Sequence, residues 1–167
     1  MTRKGAGGPK NRGLQTENEI EIKKTFKKLE NLKPKVLDQH FHEAHANAFE
    51  HIDCLTCGNC CKSTGPLLID KDIERIAAHL RMRPSKLVDD YLKIDEDGDY
   101  VMNALPCPFL GADNYCSIYS VRPRACREFP HTDRKNMQQI LKLTKRNTKE
   151  CPAVFEMVQK IEQHLPK

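Results

Sequence analysis

Half of the cysteines in this sequence are concentrated between residues 54 and 62, which read Cys54-Leu55-Thr56-Cys57-Gly58-Asn59-Cys60-Cys61-Lys62. The other four are dispersed singly, and they are Cys107, Cys116, Cys126 and Cys151. Three cysteines at C-x-x-C-x-x-C spacing on a tight loop can present thiolates to one iron-sulfur cluster, with a distant cysteine as the fourth ligand. Cys107 and Cys151 suit that fourth role, because a proline follows each of them.

The same loop-like stretch also has the form of a zinc site. Gly58, after the second cysteine, allows the backbone to curl around the sulfur. Because consecutive side chains of an extended backbone point to opposite sides, the adjacent Cys60 and Cys61 are not expected to bind one ion. Eight thiolates would fill two four-cysteine zinc sites, whereas one four-iron cluster would leave four cysteines over. The count favours two metal centres, and zinc and an iron-sulfur cluster both stay open as the cofactor.

The composition indicates a small domain whose hydrophobic core needs support. Hydrophobic residues make up 38% of the 167 residues, charged residues make up 31%, and tryptophan is absent, so the apolar material for a core is below average. Cysteine-bound metal can add the missing stability, because its binding free energy becomes part of the free energy of folding. The formal net charge of +5 would be largely offset by the negative charge of metal-bound thiolates.

The cysteine content also bears on the compartment. No apolar run approaches the roughly 20 residues that span a bilayer, and no apolar stretch typical of a secretory signal follows the first basic residues. We therefore expect a cytoplasmic protein without a membrane span. Thiols stay reduced in the cytoplasm, so eight cysteines favour metal binding over a framework of four disulfides, which stays open as the alternative.

Apolar periodicity divides the chain into three parts. Residues 1–16 include a Gly-rich basic run typical of a flexible tail. Residues 17–52 have a helical spacing that predicts a helical N-terminal segment of two helices, separated near Pro34. Residues 53–167 form the predicted cysteine-cluster metal-binding domain.

Four helices and two short strands are predicted within this domain. Asp70 is a suitable N-cap for one helix, and Pro84 can occupy the first position of the next. The strand candidates cover residues 100–103 and 115–119, and the last two helices cover about 136–146 and 152–164. The sequence thus predicts a mainly α fold with a few short β-strands and metal-stabilised loops. This is a small irregular cysteine-rich α+β domain preceded by a helical segment.

Histidines form a further candidate site before the cysteines. They are His40, His42, His45 and His51. His42 and His45 lie one helical turn apart, which is a spacing that can hold a metal ion. Histidines on one polar helix face more often titrate in solvent, and we favour that interpretation.

Basic residues are concentrated near and after Cys126. Arg122, Arg124 and Arg127 surround this cysteine and can lower the pKa of its thiol. A second group could form an anion or nucleic-acid surface, and it consists of Arg134, Lys135, Lys142, Lys145, Arg146 and Lys149. Because no aromatic interleaving or base-reading motif accompanies this group, a solvated helix face is favoured and no nucleic-acid partner is expected.

The spaced motifs resemble the YkgJ-type cysteine-cluster family, described as a "putative zinc- or iron-chelating domain". The motifs are Cys54-x-x-Cys57-x-x-Cys60-Cys61, Cys107-Pro108-Phe109-Leu110, Cys116-Ser117-Ile118-Tyr119-x-x-Arg122-Pro123-x-x-Cys126-Arg127-x-Phe129-Pro130 and Cys151-Pro152. The resemblance implies that all eight cysteines belong to the metal-binding pattern, together with Arg122, Pro123 and Phe129. Members have been described as iron-sulfur oxidoreductases, and a related cysteine pattern is similar to one in bacterial flagellin lysine methylases.

The expected function is metal binding through cysteines, as an oxidoreductase-like or modification-assisting component. The alternatives are a non-catalytic zinc scaffold or interaction module and a metal-handling protein. The sequence has no phosphate-binding glycine loop after a strand, no H-E-x-x-H motif and no convincing Ser/His/Asp set, so hydrolase and kinase chemistry have no support. No reaction, substrate or oligomeric state is predicted, and a protein partner stays open.

Overall fold

The computed structural model describes residues 10–165, with side chains described from residue 18 onward. The helices are α1 (Lys10–Glu30), α2 (Pro34–Phe49), α3 (Cys54–Cys57), α4 (Asn59–Ser63), α5 (Asp70–His79), α6 (Pro84–Tyr91), α7 (Arg124–Glu128), α8 (Leu141–Asn147) and α9 (Pro152–Gln163). The strands are β1 (Leu67–Leu68), β2 (Leu92–Ile94) and β3 (Tyr100–Met102), and two 3₁₀ turns cover Tyr119–Val121 and Met137–Ile140. The fold is mainly α with a few short strands, which confirms the predicted class.

The first hydrophobic core lies between the N-terminal and the C-terminal helices. α1 ends at Glu30, and Pro34 then occupies the first position of α2, where its missing N–H is not needed. α2 packs along α9, and α1 packs against both α8 and α9. The largest buried side chains here are Phe26, Leu29, Leu37, Phe41, Met137, Leu141, Met157 and Ile161. The segment predicted over 17–52 therefore shares a hydrophobic core with α8 and α9. Its separation from residues 53–167 as a part of its own stays a prediction.

A second hydrophobic core joins α5 and α6 to the small sheet. The strands are antiparallel in the order β1-β3-β2, with Leu67 opposite Val101 and Ile94 opposite Tyr100. The apolar stripes of α5 and α6 face this sheet, as their helical spacing predicts. The buried residues are Leu68, Ile73, Ile76, Ala77, Leu87, Leu92, Met102, Phe109 and Ile118.

The cysteines lie between the two cores. Cys151 packs against the first core, whereas Cys107 and Cys116 pack against the second. Bonds that linked these sulfurs, through metal, to the cysteines of α3 and α4 would therefore connect the two apolar clusters.

The region predicted as a loop from residue 54 to 62 is helical, and that prediction was wrong. Asp53 precedes α3, and its carboxylate accepts a hydrogen bond from the N–H of Leu55 at 2.9 Å, as an N-cap does. Gly58 then adopts φ +60° and separates α3 from α4. One capping residue and one glycine in the left-handed region are sufficient for two short turns of helix.

Two other local predictions were also wrong. Asp70 is the first residue of α5 rather than its N-cap, and the carboxylate of Asp72 accepts the hydrogen bond from the N–H of Ile69 at 3.4 Å. Residues 115–119 form a single bridge, from Cys116 to Leu110, and the chain then enters a 3₁₀ turn at Tyr119 that ends the extended backbone. The strands β1 and β2 were missed because two or three residues are too few for an alternating pattern.

α1 begins at Lys10, earlier than Glu17, where the helical spacing starts in the sequence. Residues 1–9 of the predicted tail lie outside the described residues, and the flexibility of the tail stays a prediction. Among the helices that the structure describes, none combines the length and the apolar composition that crossing a bilayer requires.

Candidate metal centre

The short helices and a loop contact bring distant cysteines together. α3 carries Cys54 and Cys57, and α4 carries Cys60 and Cys61. The N–H of Cys107 donates to the carbonyl of Cys61 at 2.7 Å. This hydrogen bond holds the loop after β3 against α4, so sulfurs from both halves of the chain become neighbours.

We group the eight thiols into two adjoining neighbourhoods of four, with Cys54 and Cys60 at the boundary between them. The first neighbourhood lines one small cleft and consists of Cys54, Cys57, Cys60 and Cys151. The second neighbourhood lines a cavity of about 260 Å³, together with Cys54 and Cys60, and consists of Cys61, Cys107, Cys116 and Cys126. All eight are free thiols, and only Cys54 is exposed. The predicted cysteines are thus adjacent in space, and the disulfide alternative does not describe this structure.

Within each neighbourhood the thiols influence each other's ionisation. Burial raises the pKa of Cys54 and of Cys126, and neighbouring thiols raise both further. These neighbours are Cys151 and Cys57 for Cys54, and Cys61, Cys107 and Cys116 for Cys126, whose pKa is about 12. Metal ions bind the deprotonated thiolates. A bound cation would therefore offset both the free-energy cost of burying the thiolate charges and the repulsion between them.

The adjacent Cys60 and Cys61 connect the two neighbourhoods. A hydrogen bond between their side chains lowers the pKa of Cys61 to about 7 and raises the pKa of Cys60. Both residues lie on helical rather than extended backbone. The prediction that an extended backbone points their side chains to opposite sides was therefore wrong. Cys61 nevertheless interacts with the second neighbourhood, while Cys60 interacts with Cys54 as well as Cys126.

Backbone N–H groups lie beside three of the sulfurs and partly offset the rise in pKa that burial causes. They belong to Phe109 beside Cys107, to Ile118 beside Cys116, and to Val154 and Ala153 beside Cys151. Cys151 also precedes α9 directly, where the helix dipole favours negative charge. These donors lower the pKa of their sulfurs against the larger effect of burial, and they stabilise the thiolate that a metal centre uses.

The thiols nevertheless do not form a closed coordination shell. Within residues 18–165, no three cysteine, histidine or carboxylate side chains are arranged so as to hold an ion. The donors therefore fit a zinc or iron centre by their chemistry, their number and their N–H partners, and not by a finished geometry.

Two of the three predicted arginines line the cavity that holds the second neighbourhood, and they are Arg122 and the exposed Arg127. Arg122 is half-buried on the wall of the 260 Å³ cavity, with its guanidinium 3.8 Å from the centre of the Tyr119 ring and Nη1 donating to the Tyr119 carbonyl at 2.8 Å. Burial raises the pKa of Cys54, Cys116 and Cys126, and the charge of Arg122 offsets part of that rise in both neighbourhoods. Arg124 instead pairs with Glu128 on the surface.

Three of the four histidines hold other elements in place. His42 Nε2 lies 3.0 Å from the Arg134 carbonyl, His45 Nδ1 lies 2.8 Å from Thr132 Oγ1, and His51 Nε2 lies 3.0 Å from Glu156 Oε2. His40 lines a surface groove near His164. Among the described side chains the structure does not join His42 and His45 in a metal site. His42, His45 and His51 therefore contact other elements of the fold rather than solvent alone.

Sequence reasoning missed a buried ion pair that supports the second neighbourhood. Asp72 is 1% exposed, and its carboxylate accepts hydrogen bonds from Arg75 Nη2 at 2.5 Å and from the N–H of Arg124 at 3.2 Å. Arg75 also donates to the carbonyls of Val121 and Arg122. These bonds fix the turn before α7, which carries Cys126. The D-x-x-R spacing in α5 was the only local signal for the pair.

Gly58→Ala should lower the free energy of unfolding by about 1–2 kcal/mol, because an L residue at φ +60° is strained. The added Cβ would also lie 3.2 Å from Asn114 Cβ. Gly65→Ala is the matched control, since no atom lies within 4 Å of its added Cβ. Urea unfolding of both variants measures the difference, and equal stability would show that the bend at residue 58 does not need glycine.

His45→Gln should make stability less dependent on pH between about 7.5 and 5.5. Burial lowers the pKa of His45 in the folded chain, so the unfolded chain binds more protons below about pH 6.5. The wild-type melting temperature should therefore fall more steeply with acid than that of the variant. Thiol protonation affects both proteins alike, so parallel melting profiles would contradict this prediction.

Comparison with known families gives one match. A family model named CxxCxxCC, described as "Putative zinc- or iron-chelating domain", matches residues 53–153. The matched residues contain all eight cysteines and end just inside α9. Comparison with curated proteins and with solved structures gives no match.

Proposed function

Because this chain belongs to the CxxCxxCC family of zinc- or iron-chelating domains, we propose that it binds metal at two centres of four cysteines each. The first centre consists of Cys54, Cys57, Cys60 and Cys151. The second consists of Cys61, Cys107, Cys116 and Cys126. The division of the thiols into two neighbourhoods carries this proposal, and the N–H donors at Cys107, Cys116 and Cys151 support it.

The chain's own residues prepare both centres for negative charge. Arg122 lies beside thiols of both centres, and the start of α9 directs two N–H groups at Cys151. Bound zinc would hold the two cores together, whereas a bound iron-sulfur cluster would also provide one-electron transfer. We propose that the protein acts in the cytoplasm, where its thiols stay reduced.

An oxidoreductase-like component is the activity that the cavities favour. The cysteines of the second centre are half-buried rather than fully enclosed, and Cys61, Cys107 and Cys126 also line the neighbouring cavity of about 470 Å³. A closed structural zinc site has no open position for a ligand. A centre with four cysteine ligands likewise has no open position, so a centre close to the surface favours exchange of electrons, rather than of ligands, with another molecule.

A non-catalytic zinc scaffold is the second candidate function. Its support is the position of the cysteines between the two hydrophobic cores. A metal at this position would stabilise their packing without any reaction. Metal handling is a weaker alternative, for which the adjacent Cys60 and Cys61 are the only support.

Metal analysis of anaerobically purified wild-type protein tests the proposal. Colourless protein with about two zinc ions per chain would favour the scaffold. Brown protein that contains iron and sulfide and absorbs near about 400 nm would favour the redox component. Protein without stoichiometric metal, or with its cysteines joined as disulfides, would contradict both.

A further inference from the structure

A cavity of about 470 Å³ adjoins the cysteines on the side of α8. The sulfur-bearing residues on its wall are Cys60, Cys61, Cys107 and Cys126. Its volume lies within the range of pockets that bind small molecules, about 300–1,000 Å³. A ligand in this cavity would lie beside the second centre.

The rest of the wall is mainly apolar. It includes Pro66, Leu67, Ala125, Phe129 and Leu143. Leu67 is 40% exposed although it is the start of β1, and Phe129 and Leu143 are only half-buried. An apolar molecule that covered these side chains would be stabilised, because their surface would be removed from water.

The charged groups at the rim are not equally available to a ligand. Lys149 pairs with Glu19 at 2.9 Å, and Glu150 accepts a hydrogen bond from Ser63. Arg146 is exposed on α8, and among the described residues it has no carboxylate partner within ion-pair distance. Its planar guanidinium can bind a carboxylate through two parallel hydrogen bonds.

We propose that this cavity binds a small organic anion with an apolar body. The carboxylate contacts Arg146 at the rim, and the apolar body lies against Leu143 and Phe129 beside the thiols. This inference goes beyond the metal centres and does not depend on which metal they hold.

Isothermal titration of the metal-loaded full chain with 2-naphthoate tests the proposal, and the neutral 2-naphthalenemethanol is the matched probe. Naphthoate should bind at one site and about tenfold more tightly than the alcohol, because only the carboxylate forms charged hydrogen bonds. Arg146→Gln should weaken naphthoate binding about tenfold and leave the alcohol unchanged. Leu143→Ala should weaken both probes by about fivefold, since it removes apolar contact.

The control is Lys142→Gln, which removes a basic residue of the same helix that does not line this cavity. It should leave both affinities at the wild-type level. The proposal would be overturned if the two probes bound equally or if neither showed saturable binding at millimolar concentration. It would also be overturned if Arg146→Gln and Lys142→Gln lost naphthoate affinity equally. Metal content is measured in parallel, and a loss of metal in Arg146→Gln would assign Arg146 to the metal centre instead, which also overturns it.

Discussion

Cys57→Ser and Cys126→Ser should each remove about half of the bound metal, and the double variant should retain almost none. The reason is that the two cysteines lie in different neighbourhoods. Cys57 lines the cleft with Cys54, Cys60 and Cys151, whereas Cys126 interacts with Cys61, Cys107 and Cys116. A single cluster shared by all ligands would instead be lost almost entirely in either single variant. Metal content per folded chain distinguishes the two arrangements.

The same variants should lose stability in proportion to the lost metal. A metal present at about 1,000 times its dissociation constant stabilises the folded state by about 4 kcal/mol. For a chain of this size, that loss lowers the melting temperature by about 10 °C. Ser120→Ala, at an exposed serine in the nearby 3₁₀ turn, should change neither quantity. Wild-type metal content in both cysteine variants would contradict the ligand assignment.

Asp72→Ala should lower the free energy of unfolding by about 3 kcal/mol, because it removes the carboxylate from a buried ion pair. Arg75 would lose its partner, and the N–H groups of Ile69 and Arg124 would lose an acceptor. The side chain of Arg75 is 31% exposed, so water can solvate part of its charge. The loss should therefore lie at the lower end of the range for buried pairs. Denaturant unfolding measures it.

This variant should also weaken the second metal centre. Asp72 and Arg75 hold the backbone from Val121 to Arg124, directly before the helix that carries Cys126. A chelator should remove metal from Asp72→Ala faster than from wild type. Asp90→Ala breaks an exposed pair with Lys86 on α6 and should match wild type in stability and in metal retention, because such pairs contribute little. If Asp72→Ala also retained its metal like wild type, the ion pair would have no role in positioning Cys126.

Local sequence patterns were sufficient for the helices that build the two cores. α2, α6 and α9 each begin with a proline, at residues 34, 84 and 152. Their apolar stripes repeat within one or two helical turns, so a short window of sequence contains the whole signal. Residues 54–62 were harder, because their two short helices depend on one cap at Asp53 and on the left-handed conformation of Gly58 rather than on a repeat.

The sequence by itself determined that this is a mainly helical, cysteine-rich chain of a metal-chelating family, because residue type and spacing are properties of neighbours along the chain. Only the tertiary structure decided which thiols are adjacent, that His45 reaches Thr132 across 87 positions, and that Asp72 supports the turn before Cys126. Those contacts join residues from different elements, and their distances depend on how the two cores pack on either side of the cysteines. No spacing along the chain carries that information.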